Sequence, residues 1–297
     1  MTPREEGFLL LTSGLGDPDR RPLTTAQLRT LADRVRTAEH ISEERDLESR
    51  DLMALGYGRE MADRIVGLLD DTALLKHYLH RGERAGGRAI SRVGEDYPAA
   101  VHNRLGTDAP GCLWAKGDLD LLSKPAIALV GSREIGTENL AFAREVGRQA
   151  ALQGFVLVSG NARGADRAAQ ESCLAAGGEV IAVVADELER HPLDEHILYL
   201  SEDGFDLPFS SQRALSRNRV IHCMGLRTFV AQSSYQHGGT WDGTVKNLRF
   251  GWSPVYVFED GSAAAALLQE MGADGIELAQ LHDIPALPVR FFGLFDQ

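Results

Sequence analysis

The chain has 297 residues, of which 43% are hydrophobic and 25% charged, and its formal net charge is −12. This composition is typical of a soluble globular protein with enough apolar residues for one large domain or two smaller ones. It contains no run of about 18 apolar residues, so the sequence predicts no membrane span. The apolar run near its start, from Phe8 to Leu11, is too short for a signal peptide, and we expect a cytoplasmic protein.

The acidic charge is spread along the chain. The balance is −9 from residue 125 onward, with 13 Lys and Arg against 22 Asp and Glu, and −3 before it. Neither part has the basic excess of a protein that binds DNA by overall charge, so any phosphate site must be local. The three cysteines, Cys112, Cys173 and Cys223, are widely spaced and odd in number, which predicts buried thiols and no metal site.

Residues 23–79 have the apolar spacing of short helices, and Thr24 or Thr25 can cap the first of them. Residues 51–69 predict a helix, a glycine turn and a second helix, as in a small all-α, sterile-alpha-motif-like domain. Two interpretations stay open, a bundle used for packing or a DNA-binding hairpin, although Asp63, Asp70 and Asp71 disfavour phosphate contact. Three glycines in residues 80–87 predict a boundary between a helical domain, 1–85, and a second domain, 86–297.

From residue 125 the pattern alternates between apolar strands and amphipathic helices. Strands are predicted at residues 126–130, 155–158, 180–184, 227–231 and 255–258, with helices at 138–152, 165–176 and 263–271. Strands joined by helical crossovers form an open, mainly parallel sheet, so the fold class is α/β of extended Rossmann-like type.

In such sheets ligands bind beyond the carboxyl ends of the strands. Glycines, hydroxyls and arginines follow or precede several strand ends, and they suit a phosphate because glycine allows close approach and helix-start N–H groups attract anions. Asp166 is predicted either to stabilise a helix start or to orient an arginine. The candidate phosphate-binding residues are Gly131, Ser132, Arg133, Ser159, Gly160, Arg163, Gly164, Asp166, Arg217, Asn218, Arg219, Gly238, Gly239, Thr240 and Lys246.

Three ordered motifs, GSR at 131–133, SGNARGAD at 159–166 and RNRVI at 217–221, resemble those of the DNA-processing protein A family, DprA or Smf. The resemblance covers about residues 8–275. It implies binding of single-stranded DNA, a homodimer, and loading of a RecA-type recombinase onto incoming strands in natural transformation. By motif position it assigns phosphate contacts to Gly131, Ser132, Arg133, Arg217 and Arg219, and the pocket floor to Ser159, Gly160, Gly164 and Asp166.

The sequence also departs from the family pattern. Residues 185–188 replace a glycine-rich turn, and Ala214 stands where the family often has an aromatic residue that stacks on a base. Trp241 is expected either to replace that stacking surface or to be buried. Because the chain ends at Gln297, we expect no C-terminal winged helix of the kind that many members carry.

Two other function classes are alternatives to DNA binding. A sensor of a nucleotide or nucleotide-derived signal, for example in phage defence, would use Gly238, Gly239 and Thr240 for a single phosphate. A phosphoribohydrolase of related fold would need a carboxylate where Asn247 stands, and no P-loop motif is present. We therefore expect no enzymatic activity and no cofactor.

Overall fold

The computed structural model describes residues 1–37 and 47–289. Nine strands in those ranges form one sheet. They are β1 (Arg88–Ser91), β2 (Cys112–Lys116), β3 (Ala126–Val130), β4 (Val156–Ser159), β5 (Val180–Val184), β6 (Ile197–Glu202), β7 (Thr228–Val230), β8 (Val255–Phe258) and β9 (Asp274–Ile276). The spatial order is β1-β2-β6-β5-β4-β3-β7-β8-β9. In this spatial order, every pair of neighbouring strands from β6 across to β9 is parallel. Strands β1 and β2 are antiparallel additions at the β6 edge.

The α-helices of the described residues cover both faces of the sheet and extend beyond one edge. They are α1 (Pro3–Thr12), α2 (Thr25–Thr37), α3 (Ser49–Ala54), α4 (Arg59–Asp70), α5 (Thr72–Arg84), α6 (Ala99–Leu105), α7 (Thr137–Leu152), α8 (Ala165–Ala175), α9 (Ser211–Ser216), α10 (Asn218–Met224), α11 (Gly238–Phe250) and α12 (Ala263–Glu270).

The two faces of the sheet bury different side chains because strand side chains alternate. Ile127 and Leu129 of β3 join a core formed with α7 and α8, while Ala128 and Val130 join the core on the opposite face with α6, α10, α11 and α12. All five residues of β3 are buried, as expected of a central parallel strand covered on both faces. The result is a three-layer α/β architecture, and the predicted fold class is confirmed.

The helical N-terminal region has a core of its own and also contacts the sheet. Leu31, Leu52 and Ile65 belong to the core formed by α2, α3 and α4. Tyr78 of α5 lies in the sheet's core instead, where its ring packs edge-on against Trp114 of β2 with centroids 5.4 Å apart. The domain boundary near residue 85 therefore remains a prediction. Residues 38–46 of the predicted helical segment lie outside the described residues.

The turn between α3 and α4 packs against α2. The Arg34 guanidinium lies 4.2 Å from the centroid of the Tyr57 ring and donates a hydrogen bond to the Leu55 carbonyl. Such contacts are expected if the turn packs within a helical bundle.

The five predicted strands are present, but the prediction omitted strands β1, β2, β6 and β9 and helices α1, α6, α9, α10 and α11. The three cysteines are buried free thiols, as predicted. None of the helices within residues 1–37 and 47–289 has the length and hydropathy of a membrane-spanning segment.

Candidate nucleic-acid interface

A cleft of about 570 Å³ opens at the carboxyl ends of β3, β4 and β7. The loops after β3 and β4 form one wall, α9 and the start of α10 form another, and the N-terminus of α11 completes it. The lining residues are Val130, Gly131, Ser132, Arg133, Glu134, Ala162, Arg163, Asp166, Ser211, Ala214, Leu215, Arg217, Asn218, Ser234, His237, Gly238, Gly239 and Thr240. We call this the rim cleft.

Two glycines bring the first two sequence motifs together. A Cβ at Gly131 would lie 2.4 Å from the Cβ of Ala165, so this glycine lets the start of α8 approach the end of β3. Gly164 has φ 81°, and a Cβ there would lie 2.4 Å from the Ser132 carbonyl oxygen. The Ala165 amide donates to that same carbonyl at 3.2 Å. Close packing of the loops, together with left-handed backbone, requires these glycines.

Gly160 makes room for a side chain rather than for a ligand. A Cβ at this position would lie 1.6 Å from Nη1 of Arg217, and the Arg217 guanidinium donates to the Gly160 carbonyl at 2.8 Å. Arg217 is only 7% exposed, and its Nε has no hydrogen-bond partner among the described residues. Burial lowers the pKa of this guanidinium, and the nearby Asp166 opposes that effect. Arg217 thus forms the floor of the rim cleft with part of its donor capacity unused.

Asp166 organises the loop after β4. Its Oδ2 accepts hydrogen bonds from the amides of Gly160 at 3.1 Å and Ala162 at 3.3 Å. Burial raises the pKa of its carboxyl, while Arg217 and the two amides pull in the opposite direction. Asp166 therefore binds backbone amides near a helix start, and it also lies beside Arg217. The first feature belongs to the predicted role at the helix start, and the second to the predicted role of orienting an arginine.

Two arginines are exposed at the cleft. Arg133 and Arg163 line both the rim cleft and a smaller adjoining cavity of about 170 Å³, which also contains Phe209. The Phe209 ring is 53% exposed and lies 5.8 Å from the Arg133 guanidinium. An exposed aromatic ring beside cations is the combination that proteins use to bind single strands.

The N-terminus of α11 faces the same cleft. Gly238, Gly239 and Thr240 are its first three residues, where amide hydrogens lack intrahelical acceptors. Within residues 47–289, the N-cap His237 supplies no side-chain hydrogen bond to this turn. Asn218 fixes the helix start, since its Nδ2 donates to the Gly239 carbonyl at 3.0 Å. A helix start of this kind attracts anions.

The structure does not bring all the predicted site residues to this cleft. Ser159 is completely buried, and its hydroxyl accepts a hydrogen bond from Gln170. Arg219 donates to the Asp108 carbonyl at 2.6 Å and lies 3.5 Å from Glu202. Arg219 and Lys246 line a different cavity, described below. Arg219 and Lys246 therefore do not line the rim cleft, and their phosphate contacts stay a prediction. Arg217 already has helical backbone, with φ −66° and ψ −17°, and side chains two residues apart on a helix diverge.

Sequence reasoning also missed several lining residues. Phe209, Leu215 and His237 were not predicted, although His237 directly precedes the predicted glycines. Trp241 is 8% exposed and belongs to the core, so the buried alternative applies. No sequence pattern marks Phe209 as a site residue, because only the fold brings it beside Arg133.

Asn247 is completely buried rather than at the cleft. Its Nδ2 lies 3.0 Å from the hydroxyl of Ser253 and 3.1 Å from Nδ1 of His222. Among the described residues, no group of three or more His, Cys, Asp or Glu side chains is arranged to hold a metal ion.

Comparison with known proteins places this geometry in a family. The model of the DNA recombination-mediator protein A family matches residues 88–250. DNA processing protein DprA of Streptococcus pneumoniae is 34% identical over 145 residues, which cover 44% of this chain and 50% of that protein. Protein Smf of Escherichia coli is 26% identical over 217 residues, 69% of this chain and 57% of that protein. These matches span about half the length of the curated relatives.

Two solved structures share the fold. The X-ray structure of DNA processing protein A from Streptococcus pneumoniae superposes with a TM-score of 0.72 at 24% identity, covering 98% of this chain and 99% of that one. A DNA processing protein A from Helicobacter pylori, whose structure addresses its single-stranded DNA binding mode, gives a TM-score of 0.56 at 22% identity, covering 66% and 94%. The matched region contains β1 through α11 and every segment that lines the rim cleft. The chain therefore belongs to the DNA recombination-mediator protein A family.

Proposed function

We propose that this chain binds single-stranded DNA at the rim cleft and acts as a recombination mediator. The observation that carries the proposal is the convergence of Arg133, Arg163, Arg217 and the N-terminus of α11 on one cleft. In a chain with net charge −12, such a local cluster of cations and free amides provides the focused attraction that a phosphate backbone needs.

The relatives support this proposal. The Helicobacter pylori neighbour is described as a single-stranded DNA binder, and the Streptococcus pneumoniae relative as a DNA processing protein. We extend the proposal to a non-catalytic, cytoplasmic homodimer that loads a RecA-type recombinase onto the bound strand. The burial of Asn247 fits a non-catalytic role, because the position where a phosphoribohydrolase needs its acid does not reach the cleft.

Binding of labelled oligodeoxythymidylate, followed by fluorescence anisotropy across a salt series, tests the proposal. Arg133→Ala should weaken binding and reduce the slope of log affinity against log salt by about 0.7, the value for one phosphate contact on a single strand. Arg84→Ala is the matched control, since Arg84 is exposed on α5 away from the cleft and should leave the slope unchanged. Absence of binding at low salt, or equal slopes for both variants, would reject the proposal.

A nucleotide sensor is the competing proposal, and the size of the cleft favours it specifically. A volume of 570 Å³ lies in the range of pockets for small ligands. A thermal shift with mononucleotides, combined with no affinity for oligonucleotides, would select the sensor. Oligonucleotide binding without a response to mononucleotides would select the DNA mediator.

A further inference from the structure

A second basic cavity of about 540 Å³ lies between the N-terminal helices and the C-terminal end of α11. Its charged lining consists of four cations and two carboxylates, and two aromatic side chains complete it. The charged and aromatic lining residues are Arg92, Arg104, Arg219, Lys246, Asp108, Asp203, Phe250 and Trp252. This cavity carries a local positive excess in an acidic chain.

The second cavity is connected to the rim cleft. An intermediate cavity of about 330 Å³ shares Leu215 with the rim cleft and shares Arg219, Lys246 and Trp252 with the second cavity. The three cavities thus follow one another along α11. We call this row of three adjoining cavities the α11 groove.

One face of α11 forms the base of the groove. Gly239 lines the rim cleft, Gly243 the intermediate cavity, Lys246 both the intermediate and the second cavity, and Phe250 the far end. Residues spaced three or four apart share a helix face, so this set forms a stripe along α11. The eleven steps along the helix from Gly239 to Phe250 correspond to about 16 Å. A mononucleotide is too short to occupy both ends, whereas an extended strand can follow the whole stripe.

The cations of the groove differ in availability. Arg92 donates to the carbonyls of Thr107 and Ala109, and Arg104 donates to those of Cys223 and Gly225, so both shape the wall. Lys246 is exposed and makes no hydrogen bond or ion pair with the described residues. Its ammonium group is free to meet a phosphate.

The far end offers a surface for a base. The Phe250 ring is 60% exposed and stacks on Trp252, with centroids 5.7 Å apart and an interplanar angle of 18°. The Arg249 guanidinium lies 5.4 Å from the same ring. Exposed aromatic rings next to free cations bind successive bases of a single strand with little sequence preference.

We propose that the strand bound in the rim cleft continues along the α11 groove, where Lys246 contacts a phosphate and Phe250 stacks on a base. This extension rests on the proposed DNA-binding function. It assigns roles to Lys246 and Phe250 away from the rim cleft, and it makes affinity dependent on strand length. Asp242, an exposed carboxylate beside Gly243, is one of the unfavourable charges along the path, together with Asp108 and Asp203 of the second cavity.

The test measures the affinity of the full chain for oligodeoxythymidylates of two lengths, about two nucleotides, too short to reach from the rim cleft to Phe250, and about twelve nucleotides, within the site sizes of single-strand binding folds. Wild type should bind the longer one more tightly. Phe250→Ala should weaken binding of the long oligonucleotide about tenfold and leave that of the short one unchanged. Phe250→Tyr should retain the affinity, because the ring is kept.

The lysine is tested in parallel. Lys246→Ala should reduce the salt slope for the long oligonucleotide by about 0.7 and leave the slope for the short one unaltered. Lys76→Ala, at an exposed lysine on α5 outside the groove, should change neither. Both variants alter exposed side chains, and an unchanged thermal midpoint verifies that they fold.

The outcomes separate the two proposals. Equal affinity of wild type, Phe250→Ala and Lys246→Ala for the long oligonucleotide, with binding still sensitive to Arg133→Ala, would overturn the groove and leave the rim cleft intact. Failure of wild type to bind either length would overturn the proposed function itself.

Discussion

Gly160→Ala should destabilise the protein, although the backbone at this position is not left-handed. The added methyl group would lie 1.6 Å from Nη1 of Arg217 and 2.1 Å from its Cζ, so the guanidinium must move. Moving it breaks the 2.8 Å hydrogen bond to the Gly160 carbonyl. Overpacking in a core costs about 1–3 kcal/mol, and loss of a charged hydrogen bond costs about 1.5–3 kcal/mol. We expect the free energy of unfolding to fall by about 3 kcal/mol, since the two costs overlap.

Gly67→Ala is the matched control. Gly67 lies inside α4, and a Cβ there would meet nothing within 4 Å. The same chemical change should therefore raise the free energy of unfolding by about 1 kcal/mol through helix propensity. Urea denaturation measures both variants, and opposite signs are the expected result.

A double-mutant cycle isolates the cause. In an Arg217→Ala background the added methyl group at Gly160 meets no guanidinium, and its cost should fall below about 1 kcal/mol. A Gly160→Ala variant as stable as wild type, or a cost unchanged by Arg217→Ala, would refute the idea that this glycine serves the arginine.

Three further predictions concern other parts of the molecule. Burial lowers the pKa of His222 to about 3, against about 6.5 in an unfolded chain. The unfolded state then binds more protons between these values, so stability should fall as pH drops from about 6.5 towards 3, and His222→Gln should flatten this dependence in urea titrations at several pH values. Asp242→Asn should tighten binding of the long oligonucleotide about threefold at low salt and have no effect at high salt, as measured by anisotropy. Thr2→Ala should cost about 1 kcal/mol in urea denaturation, because Thr2 and Glu5 form a reciprocal cap on α1.

Apolar runs and helical spacing were sufficient to predict the central strands, because a parallel strand buried on both faces is almost wholly apolar. The peripheral elements were harder. β1 and β2 are antiparallel additions whose pairing depends on distant segments, and β9 has only three residues. Helix α1 did carry a signal, since Thr2, Pro3 and Glu5 form a capping pattern. β6 also contains an apolar run, from Ile197 to Leu200, that periodicity alone does not distinguish from a helix.

The candidate site was predictable in outline because parallel strands end at one edge of the sheet. The roles of individual residues were not. Gly160 accommodates an arginine that is 57 residues away in sequence, and Ser159 is bound internally by Gln170. Arg217 and Arg219 would share a side on an extended segment, but they diverge because the backbone here is helical from Arg217 onward. Long-range packing of this kind leaves no trace in a single sequence.

Photochemical cross-linking locates the bound strand on the protein. An oligodeoxythymidylate that carries photoreactive bases is irradiated with the full chain, and the attached peptides are mapped by mass spectrometry. We expect attachment at residues 131–134, 209–218 and 237–250, the segments that line the rim cleft and the α11 groove. Attachment confined to α2, α3 and α4, with none at the carboxyl edge of the sheet, would contradict this expectation.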